Sequence, residues 1–169
     1  MEEIRWSTRR QNQAIALDTA LGNAISNWQD AYIGNPGVSQ ALERDVETSQ
    51  SSLRALTHAR YNCHGLTFAS RRASVHADRI RLIISEDGYD VIEEPNVMPG
   101  DCVVYYSEEG EAEHSGIVVE RSERPTDFKV VSKWGPGGPE VLHWLRQVPS
   151  AYSKIDIRFY RIQPSHEPE

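Results

Sequence analysis

Apolar residues in the first third of the chain recur at steps of three and four, the spacing of an amphipathic helix. Between about residues 8 and 33 they are Leu17, Leu21, Ala24, Ile25, Trp28 and Tyr32. A stop follows at residues 34–37, and a second helix is predicted from about Ser39 to Ala59. We expect a helical hairpin over residues 8–59, interpreted as a packing layer, with an arm that binds a protein partner as the alternative.

The pattern changes after residue 60. Short helices are predicted from Cys63 to about Arg72 and from about Val75 to Glu86, and the apolar positions then take the spacing of strands. The predicted strands are 89–92, 102–106, 114–120, 128–134, 141–145 and 155–162. Helices followed by a meander of strands predict one α+β domain over residues 1–169, with a core at 60–162 and a flexible tail at 163–169.

Composition excludes few classes of protein. The chain has 169 residues and a net charge of −7, without a basic patch, so we expect neither a nucleic acid nor a membrane as a partner. No stretch is apolar for long enough to span a bilayer. The first residues lack a basic region followed by an apolar run, which favours a cytoplasmic location, with signal-independent export as the alternative.

Candidate chemistry begins at Cys63. Asn62 is a good N-cap for the helix that follows, and a thiol in the first turn of a helix is shifted toward the nucleophilic thiolate. About fifty residues later His114 begins an apolar strand, and the two side chains together predict a thiol hydrolase. Cys102 lies inside an apolar strand and is predicted to be a core residue with a free thiol.

In this hypothesis His114 takes the thiol proton and later protonates the leaving amine. The first backbone N–H groups of the helix, near Asn62 and His64, are expected to stabilise an oxyanion. The glutamates between residues 108 and 113 should favour the imidazolium form of His114.

A third polar group often orients the histidine of such a site. Ser132, on the strand after His114, is the candidate, with His143 as the alternative. Trp134 is a candidate for a substrate groove, although aromatic residues in this part of the chain are more often core. The glycine-rich stretch at residues 135–138 is either a lid or a tight connection.

Three motifs carry a resemblance to a known family. Asn62-Cys63-His64-Gly65, Pro99-Gly100-Asp101 and His114-Ser115-Gly116 resemble, in this order, motifs of the CHAP-type and NlpC-like cysteine amidohydrolases and peptidases. The resemblance implies a papain-like α+β core. It also implies Cys63 as nucleophile, His114 as base and a third polar residue at or near Ser132. The activity implied is hydrolysis of an amide or peptide bond, often in peptidoglycan stem peptides, without a cofactor.

Two other classes of protein remain as alternatives. One is a binding or regulatory domain that keeps the hydrolase fold without activity. The other is a zinc protein that uses Cys63, His64 and His114, although this spacing matches no common zinc site.

Overall fold

The computed structural model describes residues 14–29, 40–41, 44–47, 51–55, 59–123, 127–135, 137–149 and 156–163. The helices are α1 Cys63–Phe68 and α2 Ile80–Glu86, with 3-10 turns at Ala77–Arg79 and Glu94–Asn96. The strands are β1 Asn27–Trp28, β2 Ser52–Ala55, β3 Ser74–Val75, β4 Tyr89–Ile92, β5 Cys102–Tyr106, β6 Ala112–Arg121, β7 Phe128–Lys133, β8 Glu140–Trp144 and β9 Asp156–Ile162.

Seven strands form one antiparallel sheet in the order β2-β8-β7-β6-β5-β9-β4. Its centre is the meander β5 to β8, in which each strand pairs with the next along the chain. β1 and β3 form a separate two-stranded ribbon. The central strands read as near-continuous apolar runs because the sheet is covered on both faces.

The two faces of the sheet carry different groups. Residues directly opposite each other in antiparallel strands project to the same side. Tyr105 pairs with His114 and Ser132 pairs with Gly116, so these four share one face. Helix α1 packs on the other face, where Leu66 joins a cluster with Tyr61 and Val131.

The turn before β5 is built as its sequence suggests. Gly100 has φ +100°, and the amide of Asp101 donates to Met98 O (3.1 Å). The buried Asp101 carboxylate accepts from Met98 N (2.8 Å) and from Arg161 through two bonds of 2.7 and 2.8 Å. The Asp101 carboxylate thus caps its own turn and also ties that turn to β9.

The predicted first helix is wrong over the residues described. Residues 14–29 are extended, with an antiparallel bridge between Asp18 and Ala24 and a turn at Gly22, whose φ is +82°. The amide of Ile25 donates to Leu17 O (2.7 Å), and β1 pairs with β3. A helix must offset a costly nucleus by packing an apolar stripe, and here Leu21 is 73% exposed.

The predicted second helix is correct only at its start. Residues 40–41 and 44–47 are helical, but residues 52–55 form β2 and pair with β8. The polar middle of the predicted helix gives no apolar stripe to sustain it, whereas an edge strand gains hydrogen bonds from β8. The predicted helices and the predicted tail also cover residues that lie outside the described part of the chain: 8–13, 30–39, 42–43, 48–50, 56–58 and 164–169.

These findings overturn the predicted fold class. The described chain is mostly β, and it has neither the N-terminal helical hairpin nor the helix-plus-papain-like arrangement expected of an α+β domain. The protein partner suggested for the N-terminal segment stays a prediction. In the described part of the chain, none of the helices has the length and apolarity needed to cross a bilayer.

Candidate active site

Asn62 fixes the start of α1 and confirms the predicted N-cap. Its Oδ1 accepts from the amides of Gly65 (2.8 Å) and Val75 (3.1 Å), and its Nδ2 donates to Val75 O (2.9 Å). A Cβ on Gly65 would lie 1.8 Å from Ala73 O, so glycine is required for this approach. Asn62 thus holds the residue after it, Cys63, at a fixed place beside β3.

The Cys63 side chain lines a cavity of about 230 Å³. One wall is formed by Trp28 and His76, whose ring centroids lie 4.3 Å apart, and Glu111 and Glu113 contribute to another. Trp28 had been assigned to a helix by its spacing, and its position in β1, paired with β3, brings it here. The thiol is half-buried and free, as is expected of a nucleophile that a substrate must reach.

His64 lies beneath this cavity with only 3% of its surface exposed. Its Nε2 lies 2.9 Å from Ala112 O and its Nδ1 lies 2.9 Å from Ser115 Oγ. A carbonyl oxygen only accepts, so Nε2 carries a proton. Burial lowers the pKa of His64, but the charge of Cys63, its hydrogen bond and the carbonyl of Ala112 outweigh burial, and the pKa is raised.

His114 is fully buried at the start of β6, with its ring centroid 5.3 Å from that of Tyr105. The register of β5 and β6 shifts just before it, since Tyr105 pairs with His114 while Tyr106 pairs with Ala112. Glu113 is the extra residue of this bulge. Bulges bend a strand and re-aim its side chains, which suits a histidine that must reach a thiol over the other face of the sheet.

The Cys63 thiol interacts with both imidazoles. Burial raises its pKa, but the charges of His64 and His114 and hydrogen bonds from both hold the pKa well below that of an ordinary thiol. Both imidazoles therefore favour the thiolate form of Cys63 over the thiol. The expectation that backbone N–H groups near Asn62 and His64 hold an oxyanion stays a prediction.

The two candidates for the third residue form one hydrogen-bonded pair. Ser132 Oγ lies 2.7 Å from His143 Nε2, and His143 Nδ1 lies 2.8 Å from Trp144 O. Burial, together with the nearby charge of His114, lowers the pKa of His143 to about 4, although the bond to Trp144 O opposes both. His143 is neutral with its proton on Nδ1, so the Ser132 hydroxyl donates to Nε2 and its oxygen can only accept from another group.

Ser132 lies on β7, the strand next to the one that carries His114. It lies opposite Gly116, two residues along β6. A Cβ on Gly116 would lie 2.5 Å from Val130 Cγ1 and 2.8 Å from Val131 O, so the absence of a side chain lets β6 and β7 approach here. The arrangement leaves Ser132 and His143 on the face that His114 also occupies.

Trp134 does not lie where a groove residue should. It is 1% exposed, packs in a cluster with Val46 and Val141, and its ring centroid is 5.6 Å from that of His143. The core interpretation of Trp134 is correct, and the tryptophan that lines the cavity is Trp28. Of the glycine-rich stretch after Trp134, Gly135 contributes to the cavity.

Lys133 is the site residue that the sequence reasoning missed. It is fully buried on the face that carries α1, donates from Nζ to Gly138 O, and its Nζ lies 5.2 Å from the ring centroid of Tyr61. Burial lowers its pKa to about 8, against the charges of Glu140 and Cys63. Strand alternation places Lys133 opposite in direction to Ser132, but alternation does not tell which face α1 covers.

Glu140 anchors the segments on either side of α1. Its buried carboxylate accepts from Tyr61 Oη (2.7 Å) and from Arg71 Nε (2.9 Å) and Nη2 (2.8 Å). Burial raises the pKa of Glu140, but the bonds from Arg71 and Tyr61 outweigh it and the pKa is lowered. Because these bonds join β8 to the residues before and after α1, they fix Cys63 relative to the sheet.

The second cysteine has a different environment. Cys102 is buried within β5 and free, and burial raises the pKa of its thiol to about 12. The prediction of a core thiol is confirmed. Among the described residues, no group of three or more His, Cys, Asp or Glu side chains is arranged to hold a metal ion.

Comparisons with known proteins leave the site to be judged by its own geometry. No protein-family model, curated protein or solved structure matches this chain.

Proposed function

We propose that the protein is a cysteine hydrolase that cleaves an amide or peptide bond through an acyl-thioester. The observation that carries the proposal is a half-buried thiol in a cavity, held between two buried histidines that favour its thiolate. Cys63 is the nucleophile, and the Ser132–His143 pair orients the base. The proposed chemistry calls for no cofactor.

His114 rather than His64 is the proton carrier in this proposal. Both ring nitrogens of His64 are engaged, one by a carbonyl that fixes its proton and the other by Ser115. A histidine fixed in this way supplies charge but cannot release and regain a proton during each cycle. In this proposal His64 acts as a positively charged neighbour of Cys63, since the charge of Cys63 raises the pKa of His64.

The reaction follows from these roles. The Cys63 thiolate attacks the carbonyl carbon, a C–S bond forms, and the C–N bond breaks as the His114 imidazolium gives its proton to the leaving amine. Neutral His114 then takes a proton from water, whose oxygen attacks the thioester. The C–S bond breaks, the acid leaves, and thiolate and imidazolium are restored.

The substrate class follows the motif resemblance. Asn62-Cys63-His64-Gly65 and His114-Ser115-Gly116 resemble motifs of CHAP-type and NlpC-like hydrolases, and we propose a peptide or a peptidoglycan-like amide as substrate. Membership of those families and a cytoplasmic location are parts of this proposal.

The experiment is alkylation by iodoacetamide across pH, followed by peptide mapping, on wild type and on His114→Ala. We expect Cys63 to label rapidly below pH 7 in the wild type and much more slowly in the variant. Cys102, a buried thiol in the same molecule, serves as the internal control. Hydrolysis of a peptide pool, with Cys63→Ala as the blank, then tests turnover.

A Cys63 that labels like an ordinary thiol of pKa about 8.5 and is indifferent to His114 would contradict the proposal. Rapid labelling with no hydrolysis of any peptide or wall fragment would favour a binding domain that keeps the site without turnover.

A further inference from the structure

A second cavity, of about 500 Å³, adjoins the Cys63 cavity. The two share Ala77, Glu111 and Ala112 in their walls. The two cavities are therefore neighbours, and we call the pair the groove, with the thiol in the smaller cavity. A substrate long enough to extend from Cys63 past Ala77 and Glu111 would reach this second cavity, whose lining could then select among substrates.

Two guanidinium groups converge in the second cavity. Arg158 lies over the Tyr106 ring, with its central carbon 5.1 Å from the ring centroid, and Arg81 lines the same space. Burial and the bond to Tyr160 raise the pKa of the Tyr106 hydroxyl, while the charges of Arg158 and Arg81 both act against that rise. Both positive charges therefore act on one hydroxyl, and both arginines line the cavity that contains it.

The tyrosines also offer a donor. Tyr106 Oη and Tyr160 Oη lie 2.8 Å apart, and one proton suffices for that bond. Whichever hydroxyl donates, the proton of the other is left for a further acceptor. Two guanidinium groups and a hydroxyl proton at one place suit a ligand that accepts several hydrogen bonds and carries negative charge.

The carboxylates nearby do not balance both arginines. Arg158 pairs with Asp156 (2.7 Å), and Asp78, which also lines the cavity, lies 3.4 Å from Arg79. Among the described residues, Arg81 has neither an ion-pair nor a hydrogen-bond partner. Glu111 lies where the two cavities meet and lines both of them.

We propose that this second cavity binds a carboxylate of the substrate, so that the preferred substrates are amides of acid-bearing peptides. The proposal rests on the proposed function, because it assigns to Cys63 the bond that is attacked. Arg81 and Arg158 are the specificity-determining residues, and the tyrosine pair supplies the further donor.

The test uses alkylating probes and needs no turnover. N-iodoacetyl-alanyl-glutamate amide and its glutamine counterpart differ only in one carboxylate, and a phosphoserine probe distinguishes a phosphate site. We expect the glutamate probe to label Cys63 about tenfold faster than the glutamine probe, as one charge-assisted contact allows. The double variant Arg81→Gln/Arg158→Gln should abolish that ratio. Arg121→Gln, an exposed arginine bonded to Pro95 O, should keep it.

Equal rates for the two probes in the wild type, or an unchanged ratio in the double variant, overturn the carboxylate site. A phosphoserine probe that labels faster than the glutamate probe overturns it in favour of a phosphate. Each result is a ratio of two labelling rates measured on the same protein, so it does not depend on how reactive Cys63 is. Failure of the proposed hydrolysis would be seen separately, in the peptide assay. Both arginines lie on the surface of the groove, and the single variants repeat the test if the double variant unfolds.

Discussion

Replacing His143 with glutamine should remove a specific dependence of stability on acid. His143 is 2% exposed, and its folded pKa of about 4 lies below the ordinary value of 6.5 because burial and the charge of His114 disfavour the imidazolium. As pH falls below 6.5 the unfolded chain binds a proton that the native chain refuses. The native state therefore loses stability from pH 6.5 down to about pH 4, where its own histidine begins to titrate.

The magnitude follows from the two pKa values. Each unit of difference is worth about 1.4 kcal/mol, so at pH 4.5 the linkage costs the wild type about 2.5 kcal/mol relative to pH 7. Glutamine does not titrate, yet its amide can still bond to Ser132 and to Trp144 O. The variant should be less stable than the wild type at pH 7, and that gap should shrink by about 2.5 kcal/mol, or reverse, at pH 4.5.

The assay is urea unfolding followed by tryptophan fluorescence, on both proteins at several pH values between 4.5 and 7. All other titrating groups are common to the two proteins, so the difference between their free energies of unfolding isolates His143. If this difference stays constant across the pH range, His143 is not held neutral in the native state. The hydrogen bond that it is inferred to accept from the Ser132 hydroxyl would then be refuted.

Two further variants test the supports of the site. Glu140→Gln should lower the free energy of unfolding at pH 7 by about 2 kcal/mol. This loss is smaller than for a fully buried ion pair because the Arg71 side chain is 42% exposed. Urea unfolding measures the change, and an unchanged midpoint would contradict the prediction. Lys133→Met should raise the pH at which Cys63 labels, whereas Lys129→Met, at a surface pair with Glu120, should not. As pH rises from 8 to about 10.5, the free energy of unfolding of the wild type should increase by about 3 kcal/mol relative to that of the Lys133 variant, because the folded pKa of its lysine is lowered to about 8. Equal labelling profiles would contradict the first expectation, and parallel pH–stability curves would contradict the second.

Local patterns were sufficient for the central strands. Residues 102–106 were predicted as a strand and form β5, and residues 128–134 were predicted where β7 runs from Phe128 to Lys133. Runs of valine and tyrosine between turn residues leave few other structures open to such segments. The N-cap of α1 is equally local, since Asn62 needs only Gly65, three residues away, to cap the helix.

The N-terminal third could not be predicted in this way. Apolar spacing between Leu17 and Trp28 fits a helix, yet the segment forms a turn at Gly22 and a short strand that pairs with β3. Of these residues Ile25 is 4% exposed and packs with Val75 and Val104, contacts that lie 50 to 80 residues away in the chain. Long-range pairing of this kind overrides a weak local preference and has no signal within the segment.

The site itself depends on such long-range choices. Strand alternation shows that Ser132 and Lys133 point to opposite faces, but only the packing of α1 against Val131 decides that Lys133 lies on the thiol's side. His114 belongs by register to the other face, with Ser132, and reaches Cys63 at the bulge where β6 begins. The thiolate thus takes positive charge from both sides of one sheet. Deletion of Glu113 would place Ala112 and His114 opposite Tyr106 and Tyr105 in regular register, so His114 would keep its face but lose the bend that the bulge gives the strand. We expect this deletion to abolish the rapid labelling of Cys63, and unchanged labelling would show that the bulge does not aim His114.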